Sequence, residues 1–271
     1  MGLEEVMELK FVGTSSGKSS LKRYHSSFII NSGSYNLLVD AGDGISRALM
    51  NQKILFNFID GILISHLHPD HYTGLPSLIV QMKMSERKNP LYVFCDETNS
   101  QFIKEFIYQS YLFDDRLGFK VNVQSFKQDK NFEVTEGLNF TARQNSHLER
   151  NLSSDKSRRL SFSCSSFLIR VSERSRLESG KEKNIFFTGD IAEQNDLYIF
   201  KDMKIDLMIS EITHITVEEL IEAFQKLKPQ KLYITHLGEE DENKVSKLSY
   251  QLPASERRKV VAAFDGLSVK I

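Results

Sequence analysis

A chain of 271 residues has length enough for one large core or two smaller ones. A formal net charge of -1 excludes nucleic-acid binding through overall charge, and two cysteines, Cys95 and Cys164, exclude a disulfide framework and fit a reducing compartment. The opening MGLEEVMELKF lacks the basic start and apolar core of a signal peptide, and no apolar run approaches a membrane span.

In chain order, MELKFVG, SSFIIN, YNLLVDAG and DGILISH read as strands bounded by Gly, Ser, Asn and Asp. Helical spacing follows over 74–84, then the strand LYVFC and a helix over 97–112. The second half repeats the rhythm with strands GLNFTARQ, SFSCSSFLIRV, KNIFFTGD and IDLMISE before a helix over 217–227. The strand KLYITH, a helix over 240–250 and the strand RKVVAAF close the chain. Two strand-rich halves, each ending in helices, predict two mixed sheets packed face to face with helices outside. No proline-rich linker divides them, so residues 1–271 are expected to form a single domain, cytoplasmic and without a membrane partner.

Between Arg143 and Lys183 lie ten Lys/Arg against five acids. Such a run reads first as solvated hairpin loops around SFSCSSFLIRV, and second as a basic rim that attracts an anionic substrate, with Arg158 and Arg159 at its centre. GTSSGKSS, from Gly13 to Ser20, resembles a phosphate loop but encloses three residues between its glycines where that motif needs four. A strand and not a helix follows it, which excludes the nucleotide-hydrolase reading; Lys18 or backbone N–H groups of this loop remain available to an anion.

LISHLHPDH puts His66, His68, Asp70 and His71 within six residues, in a chain that has seven histidines. Residues two apart on a strand share a face, so His66 and His68 point together, and Pro69 turns the chain to bring Asp70 and His71 alongside. Imidazole nitrogen and carboxylate oxygen are the donors that zinc accepts at roughly 2.0–2.2 Å. His147, Asp190 and His236 each follow a short apolar strand, which makes seven donors. One tetrahedral ion uses three or four protein ligands, so seven predict two ions.

The order HxHxDH, His, Asp, His resembles the metallo-β-lactamase superfamily of dinuclear metallohydrolases over almost the whole chain. The resemblance implies an α/β fold, a four-layer αβ/βα sandwich. It also implies one ion on His66, His68 and His147, a second on Asp70, His71 and His236, and Asp190 bridging them. The ions are expected to be zinc, with manganese or iron as alternatives. LLVDAGDGISRAL, HYTGLPSL and FVGTSSG resemble segments of the ribonuclease Z and phosphodiesterase branch. His214, 22 residues before His236, stands where that branch carries a catalytic histidine, and Glu211 resembles the acid before it.

By that resemblance two cations lower the pKa of a shared water, whose hydroxide attacks phosphorus. Asp70 would orient the nucleophile and His214 would protonate the leaving oxygen, with Glu211 fixing its ring. Asp40 is expected to orient a metal-bound histidine, or else only to form a turn before Gly42. Thr216 can cap a helix just after His214, which would make that histidine an ordinary helix-start residue. His25 is expected at the surface, and both cysteines in the core.

Ribonuclease Z of bacteria carries a long glycine- and proline-rich arm before the bridging aspartate. Here only 42 residues separate His147 from Asp190, much of that being the strand SFSCSSFLIRV, and no such arm fits. The expected activity is therefore hydrolysis of a small or nucleotide-like phosphodiester. The alternatives are a transfer-RNA 3′-processing endonuclease without the arm, with RNA as partner, and a carboxyl-ester, lactone or thioester hydrolase. A non-catalytic binding protein fits less well, since no ligand is lost, and relatives of this kind suggest a homodimer.

Overall fold

The computed structural model describes residues 7–33, 35–157, 159–172 and 182–271. The described strands are β1 (Glu8–Gly13), β2 (Ser27–Asn31), β3 (Asn36–Val39), β4 (Gly61–Leu63), β5 (Leu91–Asp96), β6 (Val121–Phe126) and β7 (Asn131–Thr135). They continue with β8 (Leu138–Gln144), β9 (Ser165–Ser172), β10 (Glu182–Phe187), β11 (Leu207–Ser210), β12 (Lys231–Ile234), β13 (Val260–Ala262) and β14 (Ser268–Lys270). The helices are α1 (Ile45–Asn51), α2 (Pro69–Tyr72), α3 (Leu75–Met84), α4 (Ser100–Gln109), α5 (Asp114–Leu117), α6 (Val217–Leu227), α7 (Asp241–Gln251) and α8 (Ala254–Arg257).

These strands form two seven-stranded mixed sheets, ordered β14-β1-β2-β3-β4-β5-β6 and β13-β12-β11-β10-β9-β8-β7. Each sheet belongs to its own compact unit. The first runs to Lys127 and takes in Phe264–Ile271; the second lies within Gln128–Ala263.

In the first unit β3, β4, β5 and β6 are parallel, while β14, β1, β2 and β3 run antiparallel. Parallel strands have both faces covered and read as continuous apolar runs. NLLV and GIL are of this kind, and Leu37, Leu38, Val39, Ile62 and Leu63 have no exposed surface. Helices α1, α3 and α4 supply Ala48, Leu49, Leu78, Ile79, Met82, Ile103 and Ile107 to one core with Leu38, Ile62 and Val93.

The second unit repeats the scheme. There β10, β11, β12 and β13 are parallel, and β7 to β10 antiparallel. Its core joins Phe186, Met208, Leu232 and Ile234 to Leu220, Ala223 and Phe224 of α6. Among the described residues no helix is long and apolar enough to cross a membrane.

Three sequence expectations need correction. The strand expected through His66 ends at Leu63, so His66 and His68 sit on irregular backbone and strand pleating does not align them. The helix expected over 97–112 starts as a 3₁₀ turn, Glu97–Asn99, capped by the Asp96 side chain, and ends at Gln109. The strand SFSCSSFLIRV pairs only from Ser165, because the serines before it bond locally: Ser163 N–H donates to Ser161 Oγ.

Candidate metal centre

In the first unit the C-terminal ends of the adjacent parallel strands β3 and β4 deliver Asp40 and Ser65–His66. Asp40 is held at φ 62°, a left-handed conformation that Asp tolerates better than most residues. Its buried carboxylate accepts three hydrogen bonds, each 2.8 Å long. Ser65 N–H donates to Oδ1, while Ser65 Oγ–H and His71 Nδ1–H donate to Oδ2. A carboxylate only accepts, so His71 Nδ1 carries a proton, and a metal would bind at Nε2. Having given its proton to Asp40, the Ser65 hydroxyl can accept from His66 Nδ1 at 3.0 Å. The His66 ring lies 4.1 Å from that of His71 and 4.8 Å from that of His68.

Backbone contact holds this group in place. Ala41 N–H donates to His71 O at 2.7 Å, and Gly74 N–H to Ala41 O at 2.9 Å. A Cβ on Gly42 would stand 1.8 Å from Asp70 O, so only glycine lets the DAGDG turn press on α2. Asp70 and His71 stand on α2 itself, which Pro69 opens as its first residue.

In the second unit the ends of the parallel strands β10, β11 and β12 deliver Asp190, Glu211 and His236, and His147 follows β8. Ligand sites in α/β sheets lie at such strand ends. Glu211, 1% exposed, accepts Ile191 N–H at 2.8 Å, Thr213 N–H at 3.0 Å and His214 N–H at 3.2 Å. It also accepts His214 Nδ1–H at 2.7 Å. His214 is a quarter exposed, and its ring lies 4.8 Å from that of His147. Thr216 does cap α6, in a reciprocal box with Glu219, without engaging His214.

The donor chemistry fits a cation. His147 Nδ1 faces the Ile191 carbonyl at 3.3 Å, and His236 Nδ1 faces Thr213 Oγ1 at 3.1 Å. Thr213 Oγ1 spends its own proton on His236 O, so both rings carry their protons on Nδ1. Their Nε2 atoms then face one oxygen, Asp190 Oδ2, at 3.8 and 3.2 Å. The same holds in the first unit, where His71 Nε2 lies 3.3 Å from Asp70 Oδ2. A neutral Nε2 facing a carboxylate at such distances is repelled unless a positive charge joins them, and His/Asp sets of this type bind zinc and its neighbours. Asp190, Glu211 and His214 also form a group whose ligand atoms lie within 4.8 Å of one another.

Ser65 and Thr213 orient candidate ligands without appearing in the sequence reading. Their bonds to Asp40 and His236 span 25 and 23 residues, so no local spacing announces them. His25 is part-buried, not a free surface group, and its Nδ1 bonds Ser16 O at 2.9 Å. Both cysteines are buried thiols; burial pushes Cys95 up to about 12, with Asp96 adding to the effect. In the basic segment, Arg143 donates to Ile199 O, pairs with Asp129 at 3.2 Å and stacks over Phe200. Arg170 donates to Asn131, Asn139 and Thr141. Those two charges serve the sheet. Arg158, Arg174, Arg176 and Lys181 lie outside the described residues.

The fold is the metallo-β-lactamase fold, and in sequence the chain is similar to ribonucleases Z. It is similar to the metallo-β-lactamase fold protein YhfI of Bacillus subtilis, with a TM-score of 0.71 and 17% identity, over 98% of this chain and 100% of that one. The family model described as anti-Pycsar protein Apyc1 matches residues 7–253, and the chain belongs to that family. Ribonuclease Z of Saccharolobus solfataricus is 32% identical over 131 residues, 48% of this chain and 44% of the relative, so the chain spans under half the length of that curated relative. Ribonuclease Z of Thermococcus sibiricus is 26% identical over 268 residues, 85% of this chain and 86% of the relative.

Proposed function

We propose that the protein is a dinuclear metal-dependent phosphodiesterase acting on a small or nucleotide-like phosphodiester. The observation that carries this reading is the pair of imidazole Nε2 atoms, on His147 and His236, directed at one oxygen of Asp190 with both Nδ1 protons already placed. The ligand assignment follows the superfamily resemblance: His66, His68 and His147 for one ion, Asp70, His71 and His236 for the other, and Asp190 shared. Under this reading residues 1–271 act as one catalytic domain, in the cytoplasm, with a homodimer as the expected assembly.

Two divalent ions, zinc first among them, supply a water of lowered pKa and neutralise charge on a phosphate. Asp40 accepts from His71 Nδ1–H and Ser65 from His66 Nδ1–H, so each ring would present Nε2 to an ion. Glu211 accepts the hydrogen bond of His214 Nδ1–H and fixes the ring, which leaves Nε2 as the atom to pass a proton to a leaving oxygen. Asp70 orients the attacking water from its place on α2.

Hydrolysis of bis(p-nitrophenyl) phosphate by zinc-loaded protein tests the reading, beside His68→Ala and a chelated sample. Turnover that disappears in both controls is the expected result. No turnover by a fully metal-loaded protein would sink the small-diester assignment. The second reading, a ribonuclease Z-type 3′-processing endonuclease, is favoured by the two ribonuclease Z relatives. Cleavage of a 3′-extended precursor transfer RNA in preference to small diesters would select it.

A further inference from the structure

The serine before His66 and the serine before His147 are held in the same way. Ser65 gives both its N–H and its hydroxyl to the two oxygens of Asp40. Ser146 gives its N–H to Asp196 Oδ1 at 3.1 Å and its hydroxyl to Asp196 Oδ2 at 2.7 Å. Nothing in the sequence pattern pairs Asp196 with a histidine, since Ser146 is 50 residues away. Asp196 is 5% exposed, and the same Oδ2 also accepts Ala192 N–H at 2.9 Å and Glu193 N–H at 3.3 Å. One carboxylate therefore ties the residue before His147 to the second residue after Asp190.

Capping alone does not account for this. Asp196 stands at the third position of the 3₁₀ helix Gln194–Tyr198, where its bond to Glu193 N–H completes a capping box. The bonds to Ser146 and Ala192 add nothing to that helix end. On the other side of the same loop, Asn145 Oδ1 accepts His147 N–H at 3.1 Å, and Asn145 Nδ2 donates to Ser166 Oγ and Thr188 O. His147 is thus clamped from both sides, and the Asp196 side also carries the Asp190 loop.

We propose that Asp196 is a positioning residue for metal binding. It fixes His147 relative to Asp190 by joining their loops through one buried carboxylate, as Asp40 joins Ser65 to His71. This rests on the metal roles assigned above to His147 and Asp190. Outer hydrogen-bond partners of ligands typically contribute about 10- to 100-fold to metal affinity, and Asp196 acts through the backbone, so about tenfold is expected.

The test uses the full chain, with zinc affinity measured by competition against a chromophoric chelator and geometry by the visible spectrum of the cobalt-substituted protein. Asp196→Asn should bind zinc about tenfold more weakly and shift the cobalt bands. Ser146→Ala, which removes only the hydroxyl bond, should move both readouts in the same direction by less. Glu193→Ala disrupts the capping box alone and should lower Tm while leaving both readouts in place. Asp196→Asn with wild-type affinity and spectrum overturns the inference. Should that variant not fold, unchanged affinity in Ser146→Ala overturns it instead. A wild type that binds neither ion overturns the metal reading itself, a result distinct from a metal-binding wild type with an unaffected Asp196 variant.

Discussion

His214 differs from the other histidines of its unit in what its ring faces. His147 and His236 direct Nε2 at Asp190, whereas His214 is tied by Nδ1 to Glu211 and stays a quarter exposed. A side chain so placed suits proton transfer better than ligation. His214→Ala should therefore lower kcat by about 10²- to 10⁴-fold while zinc content stays at the wild-type level. Steady-state kinetics beside metal analysis of the same preparation decides this. Zinc lost along with activity would make His214 a ligand, consistent with its closeness to Asp190 and Glu211. At this scale the donors were legible because few chemistries need imidazole and carboxylate in that order. The groups that orient them were not. Ser65, Thr213, Ser146 and Asp196 are ordinary polar residues until the fold closes bonds across 23 to 50 residues. Asp40 could be read as an orienting acid or as a turn former, and the structure makes it both: φ 62° and a bond to His71 Nδ1.

Elements were legible in proportion to how fully they are buried. The parallel strands and α6 match their expected places because NLLV, LMIS and KLYI are continuous apolar runs and α6 has a capping box. β6 and β7 escaped notice because they are part-exposed strands with interleaved polar residues, as in VNVQSF and NFEVT. α1 starts at Gly44, with φ 78° and no side-chain cap, so it lacks a start signal. β14 has three residues and is defined by pairing with β1. The segment leading into β14 also fastens the loop after β1. Asp265 accepts Thr14 Oγ1–H and Tyr24 N–H, both at 2.7 Å, and Arg23 donates to Thr14 Oγ1. Burial holds the Asp265 carboxyl above its ordinary 3.8, against the opposing pull of those bonds and Arg23. A carboxyl raised in the folded state takes up its proton before the unfolded chain does, so folding gains as pH falls through the raised value. The gain is complete below 3.8. Asp265→Asn cannot titrate. Thermal unfolding of both proteins from neutral to acid pH should show the wild type gaining on the variant as pH falls. A gap that stays flat, or moves the other way, contradicts the burial argument.

At the scale of the molecule, both sheets follow one plan in which parallel strands end in metal-type donors. Asp40 and His66 follow β3 and β4; Asp190, Glu211 and His236 follow β10, β11 and β12. The number of ions can be counted without a catalytic assay. An ion that binds only the folded chain stabilises it by RT ln(1 + [L]/Kd), so at saturation each site adds about 1.4 kcal/mol per tenfold rise in free zinc. Two sites double that slope to about 2.7 kcal/mol. Urea unfolding in zinc buffers spanning several decades of free ion should therefore give the steeper slope. The single-donor variants His71→Ala and His236→Ala should give shallower ones. A wild-type slope near 1.4 kcal/mol would mean one tightly held ion and would remove the two-ion mechanism, whereas no slope at all would mean that the folded chain binds no zinc and would remove the metal reading.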